Sequence, residues 1–171
     1  RVDYTWGRQN WFEYRLAEHK AAREGVILMD YSVMCKFLVL GRDAEKVLNR
    51  ICANNVAVPV GRCVYTQWLN AQGTIEADLT VTRLREDAYL VVSADGTYCS
   101  VKTWLKRHIP EDAHVFVTDI TSGYNILNLQ GPESRQLLQK VSQADLSNEA
   151  FPYLTMQDIE IGYAPVKALR I

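Results

Sequence analysis

Gly73-Thr74-Ile75-Glu76-Ala77-Asp78-Leu79-Thr80-Val81-Thr82-Arg83 alternates apolar with polar residues. Ile75, Ala77, Leu79 and Val81 point one way and Glu76, Asp78, Thr80 and Thr82 the other. That period of two marks a β-strand with one buried face. A similar run, Cys63-Val64-Tyr65-Thr66-Gln67-Trp68-Leu69, precedes it, and the intervening Asn70-Ala71-Gln72-Gly73 has the residues of a tight turn. With Ala71 and Gln72 at the centre of the turn, Val64 faces Leu79, Thr66 faces Ala77 and Trp68 faces Ile75, which gathers a mostly apolar face. On the other face Tyr65 lies directly opposite Asp78 and Gln67 opposite Glu76. A slip by one residue would mix the faces, so the pattern selects this register. A phenol opposite a carboxylate, with Thr80 two residues along, makes a small polar site on a rigid sheet. The same residues also suit a solvated outer face of an antiparallel sheet, and the pattern does not separate the two.

The chain of 171 residues is long enough for one domain with a sizeable core, and its 48% apolar and 23% charged residues are ordinary globular values. A net charge of −1 points to neither a nucleic-acid-binding nor a membrane surface. No apolar run approaches a membrane span and no signal-peptide pattern opens the sequence. Cys35, Cys52, Cys63 and Cys99 are widely spaced with no C-x-x-C, and read as reduced thiols in a reducing compartment. His19, His108 and His114 lie near no cysteine pair, so no metal is expected.

Outward from the hairpin the chain reads as α+β, antiparallel sheets flanked by helices. Residues 1–12 are aromatic and polar without clear period and read as a linker, or the tail of a preceding domain. Trp11 to Glu24 is helical, with Phe12, Leu16, Ala17 and Ala21 on one side and Gly25 as C-cap. Val26 to Met29 is a short apolar run, and Lys36 to Leu40 a strand. A helix follows to about Ala53, with Asp43 as N-cap and Ala44, Val47, Leu48 and Ile51 inward. Ala88 to Val92 is almost wholly apolar and belongs inside the sheet; its register leaves either Val92 or Ser93 beside Thr80. Gly96 to His108 is helical and stopped by Pro110. Val115–Val117 and Ile126–Leu129 are strands, and Gln157 to Ile171 makes two more, divided at Gly162. The sequence ends on Ala168-Leu169-Arg170-Ile171, which reads as a cut within a strand.

One internal echo stands out. Phe37-Leu38-Val39-Leu40-Gly41-Arg42-Asp43-Ala44 leads to Val47-Leu48, and 90 residues on Leu127-Asn128-Leu129-Gln130-Gly131-Pro132-Glu133-Ser134 leads to Leu137-Leu138. Each is a strand, a glycine turn, an acidic residue and a helix with a paired apolar site. The echo fits two similar α+β halves packed as one unit; chance likeness of two strand-turn-helix units is the alternative.

Several stretches taken in order resemble the glycine-cleavage T-protein (aminomethyltransferase) family: Glu18-His19-x-Ala21-x-Arg23-Glu24-Gly25-Val26, Asp30-Tyr31-Ser32-x-Met34-x-Lys36-Phe37, Tyr65-Thr66 with Leu69-Asn70, Gly73 to Val81, and Leu129-Gln130-Gly131-Pro132. Glu76 to Leu84 and Asp145 to Pro152 look closest to the C-terminal folate-binding modules of sarcosine and dimethylglycine dehydrogenases. The regulatory subunit of pyruvate dehydrogenase phosphatase is also similar, around Trp104 to His108 and Ile161 to Ala164.

The resemblance implies the N-terminal portion of a T-protein-like folate-binding fold over 13–171, truncated at its C-terminal end. It implies tetrahydrofolate as cofactor, with FAD only on a separate domain, since no Gly-x-Gly-x-x-Gly occurs here. It places the family's catalytic carboxylate at Asp78, which takes the proton that N10 of the folate loses on attacking a one-carbon unit. Tyr65, Thr80 and Val92 match residues lining the pterin, and Met34 a methionine close to the folate. The implied activity is one-carbon transfer forming 5,10-methylenetetrahydrofolate, within a flavin-dependent sarcosine or dimethylglycine dehydrogenase; the fragment alone should be inactive. Implied partners are a one-carbon donor, an adjoining flavin domain and the missing C-terminal half, in the mitochondrial matrix of a eukaryote or otherwise the cytoplasm. The alternatives are a non-catalytic regulatory module and a free-standing aminomethyltransferase. Departures from the family pattern are Ala77 for the first acid of an aspartate pair, Val33 for a histidine, and Cys35 and Thr74 for glycines.

Overall fold

A computed structural model describes all residues, 1–171. In chain order the elements are α1 (Phe12–Glu24), β1 (Ile27–Asp30), β2 (Cys35–Leu40), α2 (Ala44–Ile51), β3 (Cys63–Leu69), β4 (Ile75–Arg85), β5 (Ala88–Ser93), α3 (Tyr98–Arg107), β6 (Phe116–Asp119), β7 (Leu127–Gln130), α4 (Ser134–Gln139), β8 (Thr155–Ile161) and β9 (Ala164–Arg170). Strand pairing is antiparallel throughout, in a five-stranded sheet of order β3-β4-β5-β2-β6 and two pairs, β1-β7 and β8-β9. No helix is long and apolar enough to cross a membrane.

Alternation in the strands decides which face of the main sheet is core. Cys35, Phe37 and Val39 of β2, Ala77, Leu79 and Val81 of β4, Tyr89 and Val91 of β5, and Trp68 of β3 form one buried cluster. Ala44, Leu48 and Ile51 of α2 and Val101 and Leu105 of α3 complete it, so both helices cover the same face. The apolar strand Ala88 to Val92 lies at the sheet's centre, where both neighbours supply hydrogen bonds. The opposite face carries Tyr65, Asp78, Thr80 and Val92.

The register of the β3-β4 hairpin differs from the sequence expectation by two residues. Val64 pairs with Val81, Tyr65 with Thr80, Thr66 with Leu79, Gln67 with Asp78 and Trp68 with Ala77. Two local features cause this. The turn is one residue longer than expected: Asn70 N–H donates to Thr74 O (3.0 Å), Gly73 N–H donates to Asn70 O (2.9 Å), and Gly73 takes φ +78°, a type I turn closed by a glycine bulge. The Asn70 carboxamide oxygen accepts from the Gln72 and Thr74 N–H groups, which fixes the longer loop. A second irregularity lies beside Glu76, because Leu69 pairs with Ile75 and Trp68 with Ala77. Each insertion alone would exchange the faces; together they restore them. Ile75, beyond the bulge, is exposed instead of packing on Trp68.

Other expectations shift in detail. α1 forms, yet none of its residues is buried, so Phe12, Leu16, Ala17 and Ala21 do not face a core. Asp43 precedes α2 without capping it through its side chain; Asp43 Oδ2 accepts instead from His114 N–H at 2.8 Å, tying the helix start to the segment entering β6.

The internal echo corresponds to a repeated local structure. β2 runs into Gly41 and α2, and β7 into Gly131 and α4. Both glycines have positive φ (+131° and +120°), and each abuts the backbone just before an antiparallel partner strand: His114 ahead of β6, and Gly25 ahead of β1. Asp43 N–H donates to His114 O and Glu133 N–H to Gly25 O in the same way. After each helix comes an antiparallel hairpin, β3-β4 or β8-β9, and α4 packs through Leu138 near a small second core of Leu146, Phe151 and Ile159.

Gly41→Ala and Gly131→Ala should therefore be comparably severe. A Cβ would sit 2.0 Å from His114 O or 2.2 Å from Gly25 O, in a backbone conformation already strained for alanine. Each should cost about 3 kcal/mol or more. Gly73→Ala meets nothing within 4 Å and should cost about 1 kcal/mol from backbone strain alone. Urea unfolding of the three variants checks the ranking, and equal losses at all three positions would contradict it.

Candidate functional site

The candidate site is built on the exposed face of the five-stranded sheet. Cross-strand partners share a face, so Tyr65↔Thr80, Thr80↔Val92 and Val92↔Lys36 put Tyr65, Thr80, Val92 and Lys36 in one row across β3, β4, β5 and β2. Three interstrand steps make that row about 14 Å long. Asp78 and its partner Gln67 lie in the adjacent row. Because Ala77 and Leu79 are committed to the core, Asp78 must project outward.

Tyr65 and Asp78 meet diagonally, not directly across the ladder. Tyr65 Oη donates to Asp78 Oδ2 at 2.7 Å, although the direct partner of Tyr65 is Thr80. A long aromatic side chain spans that diagonal. The pair is open to solvent, with Tyr65 53% exposed. Donation to the Asp78 carboxylate, aided by desolvation and the carboxylate's charge, raises the pKa of the Tyr65 phenol above its usual value. Asp78 Oδ1 remains available to a second donor.

Of the five residues singled out in the sequence, Tyr65, Asp78, Thr80 and Val92 come together, and Val92 rather than Ser93 stands beside Thr80. Met34 lies at the far end, in the turn that enters β2. An open cleft of about 670 Å³ flanks the edge strand β3; Tyr65, Thr80, Asn54, Arg62, Tyr153 and Ile171 contribute to its walls. Asp78, Val92 and Met34 lie outside it, so the cleft continues the face on one side of Tyr65 and does not enclose the carboxylate.

Two charged residues at this face escaped the sequence reading. Arg62 stands just ahead of β3 and donates to Tyr153 O at 3.2 Å; it belongs to the break before the hairpin and carries no pattern. Lys36 opens an otherwise apolar strand, and its pairing with Val92 puts it on the site face, yet it is only 2% exposed. Apart from Lys36 the strand is apolar throughout and shows no alternation, so the sequence gave neither the face of Lys36 nor its burial.

Residues 2–171 match the family described as the GCVT N-terminal domain. The chain is 40% identical over 169 residues to the 4-methylaminobutanoate oxidase (formaldehyde-forming) of Paenarthrobacter nicotinovorans, covering 99% of this chain and 20% of that protein. It is 31% identical over 162 residues to the pyruvate dehydrogenase phosphatase regulatory subunit of Mus musculus (94% and 18%), and 32% identical over 165 residues to the dimethylglycine dehydrogenase of Mus musculus (96% and 19%). The chain thus spans about a fifth of the length of these relatives. In fold it is similar to the glycine cleavage system aminomethyltransferase T of Bartonella henselae, with a TM-score of 0.76 at 22% identity, covering 94% of this chain and 44% of that one.

The hydrogen bond between Tyr65 and Asp78 has a spectroscopic consequence. Asp78→Asn removes the charged acceptor that holds the phenol protonated, so the Tyr65 pKa should fall back toward the ordinary tyrosine value. Absorbance titration near 295 nm, with Tyr65→Phe identifying this phenol among the nine tyrosines, reads the shift. An unchanged Tyr65 titration in the Asn variant would show that the two groups do not interact in solution.

Proposed function

The chain belongs to the GCVT N-terminal domain family, and from that premise we propose that it carries the tetrahydrofolate-binding face of a one-carbon-transfer module. The module serves a larger flavin-dependent enzyme that oxidises an N-methylated amine such as sarcosine or dimethylglycine and yields 5,10-methylenetetrahydrofolate. Residues 13–171 supply the N-terminal portion of this module, and residues 1–12 serve as a linker or the tail of a preceding domain. The observation that carries the reading is the Tyr65–Asp78 pair on an exposed, rigid sheet face, beside a floor of Thr80 and Val92.

These residues fit a reduced pterin. Val92 and the Tyr65 ring offer apolar and aromatic surface to a flat heterocycle, and Thr80 and Asp78 offer polar partners to its edge nitrogens. Bound tetrahydrofolate would supply the nitrogen nucleophile that takes up the one-carbon unit. Asp78 acts as the general base that accepts the proton this nitrogen loses, and its charge balances cationic character developing nearby. Tyr65 donates to Oδ2 and so restrains the carboxylate, leaving Oδ1 to serve as the base. No flavin fingerprint is present, and nothing on this face offers the glycine-rich turn that a dinucleotide requires.

The relation to a formaldehyde-forming oxidase supports a one-carbon fragment as the species handled. The relation to a phosphatase regulatory subunit supports a second reading, a regulatory module with the same fold and no transfer. Asp78 separates the two. In the full-length protein Asp78→Asn should leave flavin reduction by substrate nearly intact and lower methylenetetrahydrofolate formation by about 10²–10⁴-fold, with free formaldehyde rising in parallel. Product is measured at low folate, where the solution reaction of formaldehyde with folate is slow. A variant that couples the two steps as well as the native protein would remove Asp78 from catalysis and favour the regulatory reading.

A further inference from the structure

Lys36 is a charged residue in the interior whose ammonium makes no ion pair. Its Nζ donates to Ser32 O at 3.0 Å and to Met34 O at 2.9 Å. Burial is the main cause that depresses its pKa below that of an ordinary lysine. The Asp30 and Asp119 carboxylates act on the ammonium from outside ion-pair distance and favour its charge, but burial outweighs them, and a methionine or leucine would fill the same space without that cost.

Neither carbonyl has a backbone donor: Ser32 O and Met34 O accept from no N–H. Within the turn Met34 N–H donates to Tyr31 O at 3.0 Å, and the turn is otherwise held from the side of the β1-β7 pair. Tyr31 N–H donates to Ile126 O, Ile126 N–H to Ser32 Oγ, and Ser32 N–H to Asp30 Oδ1. Lys36 alone ties the carbonyls of this turn to the five-stranded sheet. Its stem rises from the row that holds Tyr65, Thr80 and Val92, so the lysine reaches from the site face back to the turn that carries Met34.

We propose that Lys36 is a positioning residue for the ligand site: its ammonium clamps the Ser32–Met34 turn and so sets Met34 as the end wall opposite Tyr65. The ligand's identity rests on the folate reading above; the clamp itself does not.

The experiment uses the full-length protein with Lys36→Met, which keeps the stem and loses the donors, and Lys36→Gln, which keeps amide donors without charge. Hydrogen exchange of the peptide containing Tyr31–Met34 should accelerate about tenfold in Lys36→Met, less in Lys36→Gln, and stay unchanged across Phe37–Leu40. Calorimetry with tetrahydrofolate should show an affinity about tenfold weaker in Lys36→Met and partly recovered in Lys36→Gln. Met34→Ala, which leaves the clamp intact, should weaken binding to a similar degree, and adding Lys36→Met to it should weaken binding little further. Unchanged exchange at the turn overturns the clamp. Faster exchange with native affinity, or native affinity in Met34→Ala, overturns the link to the site. If the native protein binds no tetrahydrofolate the folate reading fails, while the exchange comparison still decides the clamp.

Discussion

The alternation of β4 is the constraint on which the rest depends. Ala77, Leu79 and Val81 are buried against two helices, and a pleated strand that commits those side chains inward has no choice about Asp78 and Thr80. The core and the candidate site are thus two readings of one strand. The same parity carries across the ladder, so that β3 contributes Tyr65, β5 Val92 and β2 Lys36 to the outer face. A sheet buried on one face offers a rigid platform on the other, and on that platform the Asp78 carboxylate is held by its strand and by Tyr65.

How much of this was legible follows from which forces act locally. The two faces of the hairpin were readable because burial sorts residues by parity, and parity is written into the sequence. The register was not, because it depends on the turn, and the turn depends on Asn70 folding its carboxamide back onto two N–H groups and on Gly73 taking a left-handed conformation. A two-residue turn and this longer one use nearly the same letters. The bulge beside Glu76 then cancelled the parity error. The expected phenol–carboxylate contact exists for a reason different from the one that suggested it: a diagonal reach by Tyr65 instead of a direct pairing. Helix α1 shows the converse failure. Its apolar spacing is real, and a pattern of that kind reports capacity for burial, not a partner within these residues.

The fold is fastened by close backbone approaches as well as by side chains. Gly41 and Gly131 let a strand end turn into a helix while touching the chain that leads into its neighbour, and no residue with a Cβ could occupy either place without displacing backbone. Arg83 closes the far end of the main sheet in a related way, pairing with Glu45 at 2.7 Å and donating to Val58 O and Glu86 O. Tyr89, fully buried beneath it, has its phenol pushed up to about 12 mainly by burial. These contacts lie away from the site and act on the platform.

Comparison of the two repeated units separates what folding requires from what chemistry requires. The positions alike in both are the glycine, the acidic residue two places on, and the paired apolar residues of the helix: Gly41 and Gly131, Asp43 and Glu133, Val47-Leu48 and Leu137-Leu138. The glycines answer a backbone demand that recurs in both units; Val47 and Leu48 are buried and Leu138 packs on the second core, whereas Leu137 is exposed. The place of Lys36, by contrast, is taken in the second unit by Ile126, an apolar residue at the corresponding entry to β7. A strand of this kind therefore forms without a buried ammonium, and what Lys36 adds in the first unit is its hold on the Ser32–Met34 turn. A costly group at one of two corresponding positions, on the face that holds Tyr65 and Asp78, answers a demand that the strand of the second unit does not make.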